Sequence, residues 1–192
     1  MSHFIYRTEA IILGEMPSGE DNRLYFLLTD ELGFVMAQAT GVRLLKSKLR
    51  FHLSLFANVD VEMVRGKNIW RIVNVYGRES KVFFRTPHAV VFARLSGLVR
   101  RLVHGEEDNK KLFNEVKGAR AVLSENNLSP EEEANLELVS VARILETLGY
   151  FSAGRYEPIL AGAMSRDTAS MVIPFRRELT RDINEALKES QL

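Results

Sequence analysis

Apolar and polar residues alternate along much of the first 85 residues, as they do in β-strands that bury one face. The clearest case is the segment 52–64, where the alternate positions from Leu53 to Met63 are all apolar. A turn at 65–68 and a β-rich run at 69–76 follow it, and the three segments together predict a hairpin. Earlier strands are predicted at 4–13, 23–29 and 34–41.

Five short strands with a longer connection between the third and the fourth fit a small antiparallel Greek-key barrel of the oligonucleotide/oligosaccharide-binding (OB) type. A six-stranded or SH3-like barrel fits the periodicity nearly as well, so the pattern alone leaves the barrel type open.

The apolar period changes to that of helices after Thr86, where Thr86-Pro87 has the residues of a helix start. A second helix is predicted from Asn109 to Glu125. Ser129 to Glu132 reads as a capping box that opens a third helix, and Gly149 reads as its stop. The segment 150–170 has no clear period, and Pro174 opens a last amphipathic helix.

These elements predict an α+β protein with a five-stranded OB-fold β-barrel followed by a helical part. We place an OB-fold nucleic-acid-binding domain at residues 1–85 and a helical domain at 86–192. The connection near residue 86 is short, so we expect the two to pack as neighbours.

Composition narrows the classes of function. The chain has no cysteine, which excludes disulfides, thiolate nucleophiles and cysteine-based zinc sites. No apolar run approaches the roughly 20 residues that span a bilayer, and the first ten residues lack the apolar core of a signal peptide. We therefore expect a cytoplasmic protein that does not associate with membranes.

The net charge of +1 hides an asymmetry between the two parts of the chain. Residues 40–86 hold ten lysines and arginines against three acidic residues, a surplus of seven positive charges. Residues 106–146 hold ten acidic residues against five basic ones, a surplus of five negative charges. Such asymmetry indicates a polyanionic partner for the basic part, and it also predicts attraction between the two parts.

Four cations fall within eight positions of the predicted connection between the third and fourth strands, with no carboxylate among them: Arg43, Lys46, Lys48 and Arg50. At the mouth of a small barrel such side chains contact phosphates without reading bases. The alternative is a merely solvated turn. Three more cations extend the predicted DNA-binding surface: Arg23, Lys67 and Arg71.

Aromatic residues in the basic part are candidates for stacking on the bases of a single strand. The candidates are Tyr25, Phe51 and Phe56, whereas Trp70 is expected in the barrel core.

Catalytic motifs are missing from the sequence. It contains no glycine-rich phosphate loop, no nucleophile elbow and no zinc-binding helix motif. The four histidines are scattered without metal-ligand spacing and are expected at the surface or at helix caps. Glu20 and Asp21 are adjacent in a solvated loop, which does not separate their pKa values for acid–base work. We therefore expect no catalytic residues, no metal, no cofactor and no small-molecule substrate.

Residues 8–50 resemble the N-terminal barrel of the recombination mediator RecO family. That family has a glycine–glutamate step before arginine–leucine, a threonine–glutamate–glycine turn, and a basic segment with lysine–serine. The matching residues are Gly19, Glu20, Arg23, Leu24, Thr29, Glu31, Gly33, Gly41, Arg43, Lys46, Ser47 and Leu49. Thr40 replaces the usual lysine. With the hairpin that follows, which is also as expected for the family, the order and spacing hold over roughly 80 residues.

The resemblance implies a non-catalytic DNA repair and recombination protein that binds single- and double-stranded DNA and anneals complementary strands. It also implies cooperation with a RecR-like protein and with single-strand binding protein in loading a recombinase, and a location at the bacterial nucleoid. The chain departs from many relatives in lacking the four cysteines of a zinc module and in being short. No residues are assigned to the partner proteins.

Three other functions are compatible with the residues. A protein-interaction adaptor would use the cations to bind an acidic peptide, and an RNA-binding module would use the same phosphate contacts. A small hydrolase or transferase would have to use Glu20, Asp21 or a histidine, and it is the least favoured.

Overall fold

A computed structural model describes residues 4–77, 88–125 and 127–189 of the chain. Five strands form a closed barrel with the neighbour order β1-β2-β3-β5-β4. They are β1 (Ile5–Ser18), β2 (Asn22–Thr29), β3 (Gly33–Ala39), β4 (Asn58–Arg65) and β5 (Trp70–Gly77). Helices follow, which confirms the predicted α+β class with an OB-like barrel at the N-terminus. No helix in the described ranges has the length and apolarity to cross a bilayer.

One strand pairing differs from the expectation of a wholly antiparallel barrel. β3 and β5 pair in parallel, with Ala37 opposite Trp70 and Gln38 opposite Arg71, and this pairing closes the barrel. The other four pairings are antiparallel.

The first strand is longer than predicted, and it contains a β-bulge. The register with β2 shifts between Ile12 and Gly14, so Leu13 is the extra residue. Ile12 points into the barrel core, whereas Ile11 and Leu13 pack against the helices. The strand then continues to Ser18 instead of ending at Leu13.

The fourth strand is shorter than predicted. Residues 40–57 form the connection between β3 and β4, here called the cation loop, with a 3-10 turn at Leu49–Phe51. The apolar residues between positions 53 and 57 belong to this loop and not to a strand, and they anchor the loop to the rest of the protein. Phe56 adopts a positive φ of 64°, and its N–H donates to the Ile12 carbonyl over 2.9 Å. This bond ties the end of the loop to β1.

The helices begin and end close to where the sequence signals predict. The longer ones are α1 (Ala89–Leu102), α2 (Lys110–Leu123), α3 (Pro130–Thr147) and α6 (Arg176–Glu189), with α4 (Glu157–Leu160) and α5 (Arg166–Ser170) between them. Ser129 and Glu132 form the predicted capping box at the start of α3. The predicted helix start at Thr86-Pro87 and the boundary at residue 85 lie outside the described residues.

One apolar cluster is shared between the barrel and the helices, in addition to the core inside the barrel and the core among the helices. Ile11, Leu13 and Leu28 point outward from the barrel and cluster with buried residues of α1 and α2. Phe56 meets Phe92 of α1 edge to face at 5.2 Å between ring centroids. The predicted packing of the two parts as neighbours is therefore confirmed.

Polar contacts add to this interface. The Arg120 Nε–H of α2 donates to the Phe56 carbonyl over 2.5 Å, and the Lys117 ammonium lies 2.8 Å from a Glu9 carboxylate oxygen. Arg120 is almost wholly buried, so its hydrogen bonds also offset the cost of removing its charge from water.

The connection between α1 and α2 packs against one end of the barrel. We call residues 103–109 the acidic loop, because it carries Glu106, Glu107 and Asp108. Glu106 pairs with Arg65 and accepts a 3.0 Å hydrogen bond from the Trp70 indole N–H. The backbone of Glu107 lies so close to Gly33 that a Cβ on that glycine would come within 2.0 Å of the carbonyl oxygen.

We predict that Gly33→Ala destabilises the fold by about 2–4 kcal/mol. Gly33 has a φ of +67°, which costs an L-residue about 1–2 kcal/mol, and the new methyl group would also strike the acidic loop. Gly19→Ala is the matched control, since Gly19 has a φ of +77° and open space around it. Its cost should be only about 1 kcal/mol. Urea unfolding measures both free energies, and equal losses would show that the acidic loop does not pack on Gly33.

Candidate nucleic-acid interface

The cation loop is fixed to the barrel at both ends. Val42 and Leu53 are buried in the barrel core, which holds the loop over the barrel mouth. The Asn22 side-chain oxygen accepts a 2.9 Å hydrogen bond from the Gly41 N–H, and the Arg43 N–H donates to the Asp21 carbonyl over 3.0 Å. The loop is therefore anchored to the turn between β1 and β2, and the four charged side chains between its anchors are exposed.

All four cations of the loop are exposed to solvent: Arg43, Lys46, Lys48 and Arg50. None of them forms a salt bridge with a carboxylate in the described ranges. The Arg43 guanidinium donates to the Glu20 backbone carbonyl over 2.7 Å, and that of Arg50 lies 5.4 Å from the centre of the Phe51 ring. Neither contact neutralises a charge, so the loop presents four positive charges to solvent.

A groove of about 310 Å³ opens at the barrel mouth beneath the loop. Three guanidinium groups line it, those of Arg23, Arg43 and Arg50, together with Tyr25, Val42 and Leu53. The only carboxylate paired with any of the three guanidiniums, within the described ranges, is that of Glu15, which binds Arg23. Guanidinium groups match the geometry of phosphate oxygens, so the groove suits a phosphate group.

Tyr25 adds no negative charge to this groove. Burial, together with the negative charge of Glu15, raises the pKa of the Tyr25 phenol to about 12. The phenol therefore stays protonated throughout the neutral pH range.

Two of the three aromatic residues proposed for base stacking are inaccessible. Tyr25 is 1% exposed and Phe56 is 6% exposed, because the first lies in the barrel core and the second in the core shared with the helices. Their assignment as stacking residues is therefore wrong. Phe51 is 71% exposed beside Arg50 and stays a candidate, and Trp70 is buried as expected.

The structure brings Arg23 to the cation loop but places Lys67 and Arg71 elsewhere. Lys67 lies in the turn between β4 and β5, beside the Arg65–Glu106 pair and toward the turn between β2 and β3. Arg71 is exposed on β5, opposite Gln38. Both are exposed, but neither lines the groove.

The carboxylates that the structure describes in the acidic part pair with cations outside the cation loop. In the acidic loop, Glu106 forms a salt bridge with Arg65. In α3, Glu137 pairs with Arg94 and Glu146 pairs with Lys111. The predicted attraction between the basic and acidic parts thus occurs at Arg65, although the charge pattern alone does not identify the two residues that pair.

The acidic residues and histidines that were considered for catalysis or metal binding make contacts within the fold. Glu20 and Asp21 are exposed, and their backbone carbonyls bind Arg43. His88 occupies the N-cap position of α1, one of the two expected settings for a histidine; it is buried there, and its Nδ1 lies 2.6 Å from a Glu133 oxygen. In the described ranges, no three histidine or acidic side chains come together as a metal site would require.

Comparison with known proteins identifies proteins that are similar to this chain. Residues 1–79 match the family model described as Recombination protein O N terminal. A protein of Roseiflexus sp. (strain RS-1), named DNA repair protein RecO, is 28% identical over 184 residues, which cover 87% of this chain and 63% of the relative. Proteins of the same name from two strains of Dehalococcoides mccartyi are 44% and 42% identical over 64 residues, 33% of this chain and 25% of each relative.

The chain thus spans less than two thirds of the length of these relatives. The family model ends at residue 79, just after β5, so this similarity covers the barrel and the cation loop. Over residues 1–79 the chain is therefore similar to the N-terminal part of the RecO family of DNA repair proteins.

Proposed function

We propose that this protein is a non-catalytic DNA-binding recombination mediator, which binds single- and double-stranded DNA and anneals complementary strands during repair. The observation that carries the proposal is the cation loop, four exposed positive charges above a guanidinium-lined groove on a barrel similar to that of the RecO family.

The binding mechanism is electrostatic. Lysine and arginine side chains that neutralise phosphates release condensed counterions, which gives affinity that falls with salt and does not depend on base sequence. Guanidinium and ammonium groups keep their protons at neutral pH, so they hold phosphates and do not transfer protons. This chemistry supports binding in preference to turnover.

Annealing follows from the same charges. Two DNA strands repel each other through their phosphates, and a surface that neutralises part of both charges lets complementary bases approach. The side chains of the cation loop project from a surface loop at the barrel mouth, so they are accessible to more than one strand. A DNA duplex offers the same phosphates as a single strand, which extends binding to both forms.

The proposal includes the partners that the family resemblance implies. We propose that the protein acts with a RecR-like protein and with single-strand binding protein to help load a recombinase, in the cytoplasm at the nucleoid. We assign no residues to these partners. A competition experiment distinguishes the two alternatives. A protein-interaction adaptor would prefer an acidic peptide to DNA, and an RNA-binding module would prefer RNA to DNA.

Replacement of the four loop cations by alanine should weaken binding to every single-stranded oligonucleotide alike, by at least about tenfold at low salt. About four lost phosphate contacts should also make the log–log salt slope less negative by about 3. Fluorescence anisotropy with labelled oligonucleotides of several sequences measures both quantities.

A matched control removes four exposed cations of the helical part, Arg101, Arg176, Arg177 and Lys188, and so changes the net charge equally. It should retain most of the affinity and salt slope. Equal losses in the two variants would mean that only net charge matters, and unchanged affinity in the loop variant would reject the interface.

Phe51→Ala should reduce affinity for a normal single strand by about fivefold or more, since stacking of one base contributes at least about 1 kcal/mol. The loss should vanish with an abasic oligonucleotide of the same length, which keeps the phosphates but offers no bases. Leu45→Ala is the control, because Leu45 is 88% exposed in the same loop and has no ring. Equal effects of the two substitutions would exclude stacking on Phe51.

A further inference from the structure

The groove beneath the cation loop is closed at its base. Three of the side chains that line it, Tyr25, Val42 and Leu53, are buried and belong to the barrel core. A ligand that enters the groove therefore cannot continue through the barrel. The volume of about 310 Å³ lies at the lower end of the range of small-molecule sites, about 300–1,000 Å³. The groove thus fits one nucleotide-sized group better than a continuous strand.

The three guanidinium groups that line the groove are oriented by contacts within the protein. These contacts are a carboxylate for Arg23, a backbone carbonyl for Arg43 and an aromatic ring for Arg50. A guanidinium has five N–H donors, so each group keeps donors for a bound anion. Because the groups are held before an anion arrives, less conformational entropy is lost on binding.

The charge of the groove matches a dianion. The three guanidiniums and the carboxylate of Glu15, the one that pairs with them in the described ranges, leave a surplus of two positive charges. Glu20 and Asp21 contact Arg43 through their backbone carbonyls. A phosphate inside a strand is a diester with one negative charge, whereas a terminal phosphate is a monoester with a charge of about −1.5 to −2 at pH 7. The surplus therefore suits a monoester better than a diester.

We propose that the groove binds the terminal phosphomonoester of a nucleic-acid strand, so that the protein recognises strand ends. The phosphate lies among the three guanidiniums, and the base of the same nucleotide lies on Phe51, which is exposed beside Arg50. This inference rests on the proposed function and deepens it, because it distinguishes the end of a strand from its interior by charge and not by base sequence. The same monoester chemistry occurs at a phosphorylated 5′ end and at a phosphorylated 3′ end.

The first test compares three oligonucleotides of about six nucleotides, a length within the site size of one OB fold. One has hydroxyl groups at both ends, one carries a 5′-phosphate and one carries a 3′-phosphate. At low salt we expect at least one phosphorylated form to bind about fivefold tighter than the hydroxyl form, since hydrogen bonds to an ionised phosphate are strong. The form that binds more tightly identifies the end that the groove accepts. Equal affinities of all three would overturn the inference.

Arg50→Ala and Lys48→Ala are matched variants, since each removes one exposed cation from the cation loop but only Arg50 lines the groove. Arg50→Ala should reduce the preference for the phosphorylated form to less than about twofold, whereas Lys48→Ala should weaken both forms alike and keep the preference. The same preference in both variants would show that the extra charge acts on the whole loop, which rules out the groove as the site.

The pH dependence provides a second readout. A phosphomonoester loses its second proton with a pKa of about 6, whereas its methyl ester is a diester that keeps one negative charge. The preference for the monoester over the methyl ester should therefore be largest at about pH 7.5 and nearly vanish at about pH 5. A ratio of affinities that does not change with pH would contradict binding of the dianion.

Groups of the protein do not produce this pH dependence. The arginines stay charged over the whole range, and the Tyr25 phenol stays protonated. The ring of His52 in the cation loop lies against Gly77 of β5, 2.8 Å from where a Cβ on that glycine would stand. Protonation of His52 or of the acidic residues nearby acts on both oligonucleotides, so the ratio isolates the proton of the phosphate. Those acidic residues are Glu15, Glu20 and Asp21.

The outcomes distinguish this inference from the proposed function. If the four-alanine loop variant loses affinity as predicted while phosphorylated, methyl-ester and hydroxyl ends bind equally well, only the recognition of strand ends is overturned. If the wild-type protein binds no oligonucleotide, both fail.

Discussion

Two buried side chains, Val42 and Leu53, hold the cation loop in place, and the candidate interface depends on them. They fix the loop across the barrel mouth from within the core, while hydrogen bonds from Gly41 and Arg43 tie it to the turn between β1 and β2. Because the apolar anchors face inward, the charged residues between them face outward. The loop thus combines a fixed backbone with solvated cations, which suits contact with a polyanion whose backbone repeats regularly.

The distribution of carboxylates completes this arrangement. A protein with nearly equal numbers of acidic and basic residues could neutralise its own binding surface. Here the acidic loop lies at the end of the barrel near the β2–β3 and β4–β5 turns, where Glu106 binds Arg65, and the carboxylates of α3 bind cations of α1 and α2. These acidic residues therefore join the acidic loop to the barrel and α3 to α1 and α2, and within the described ranges no carboxylate pairs with the four cations of the cation loop.

Local signals predicted much of this structure. Alternation identified the inner faces of the strands, the capping box identified the start of α3, and charge density identified the cation loop. Features that depend on distant residues were missed. The bulge at Leu13 lies at the end of four consecutive apolar residues, which leaves the alternation undefined. Phe56 alternates like a strand residue but is held by Ile12 and Arg120, and the stacking of Arg100 on Phe26 joins a helix to a strand.

The central claim is that the exposed cations of the cation loop bring nucleic-acid strands together. The most direct measurement is the annealing rate of two complementary oligonucleotides at two ionic strengths, bare or coated with single-strand binding protein. The account predicts that the wild-type protein accelerates annealing at low salt, that high salt weakens the effect, and that alanine at Arg43, Lys46, Lys48 and Arg50 abolishes it. Acceleration that persists in that variant, or no acceleration by the wild-type protein, would contradict the account.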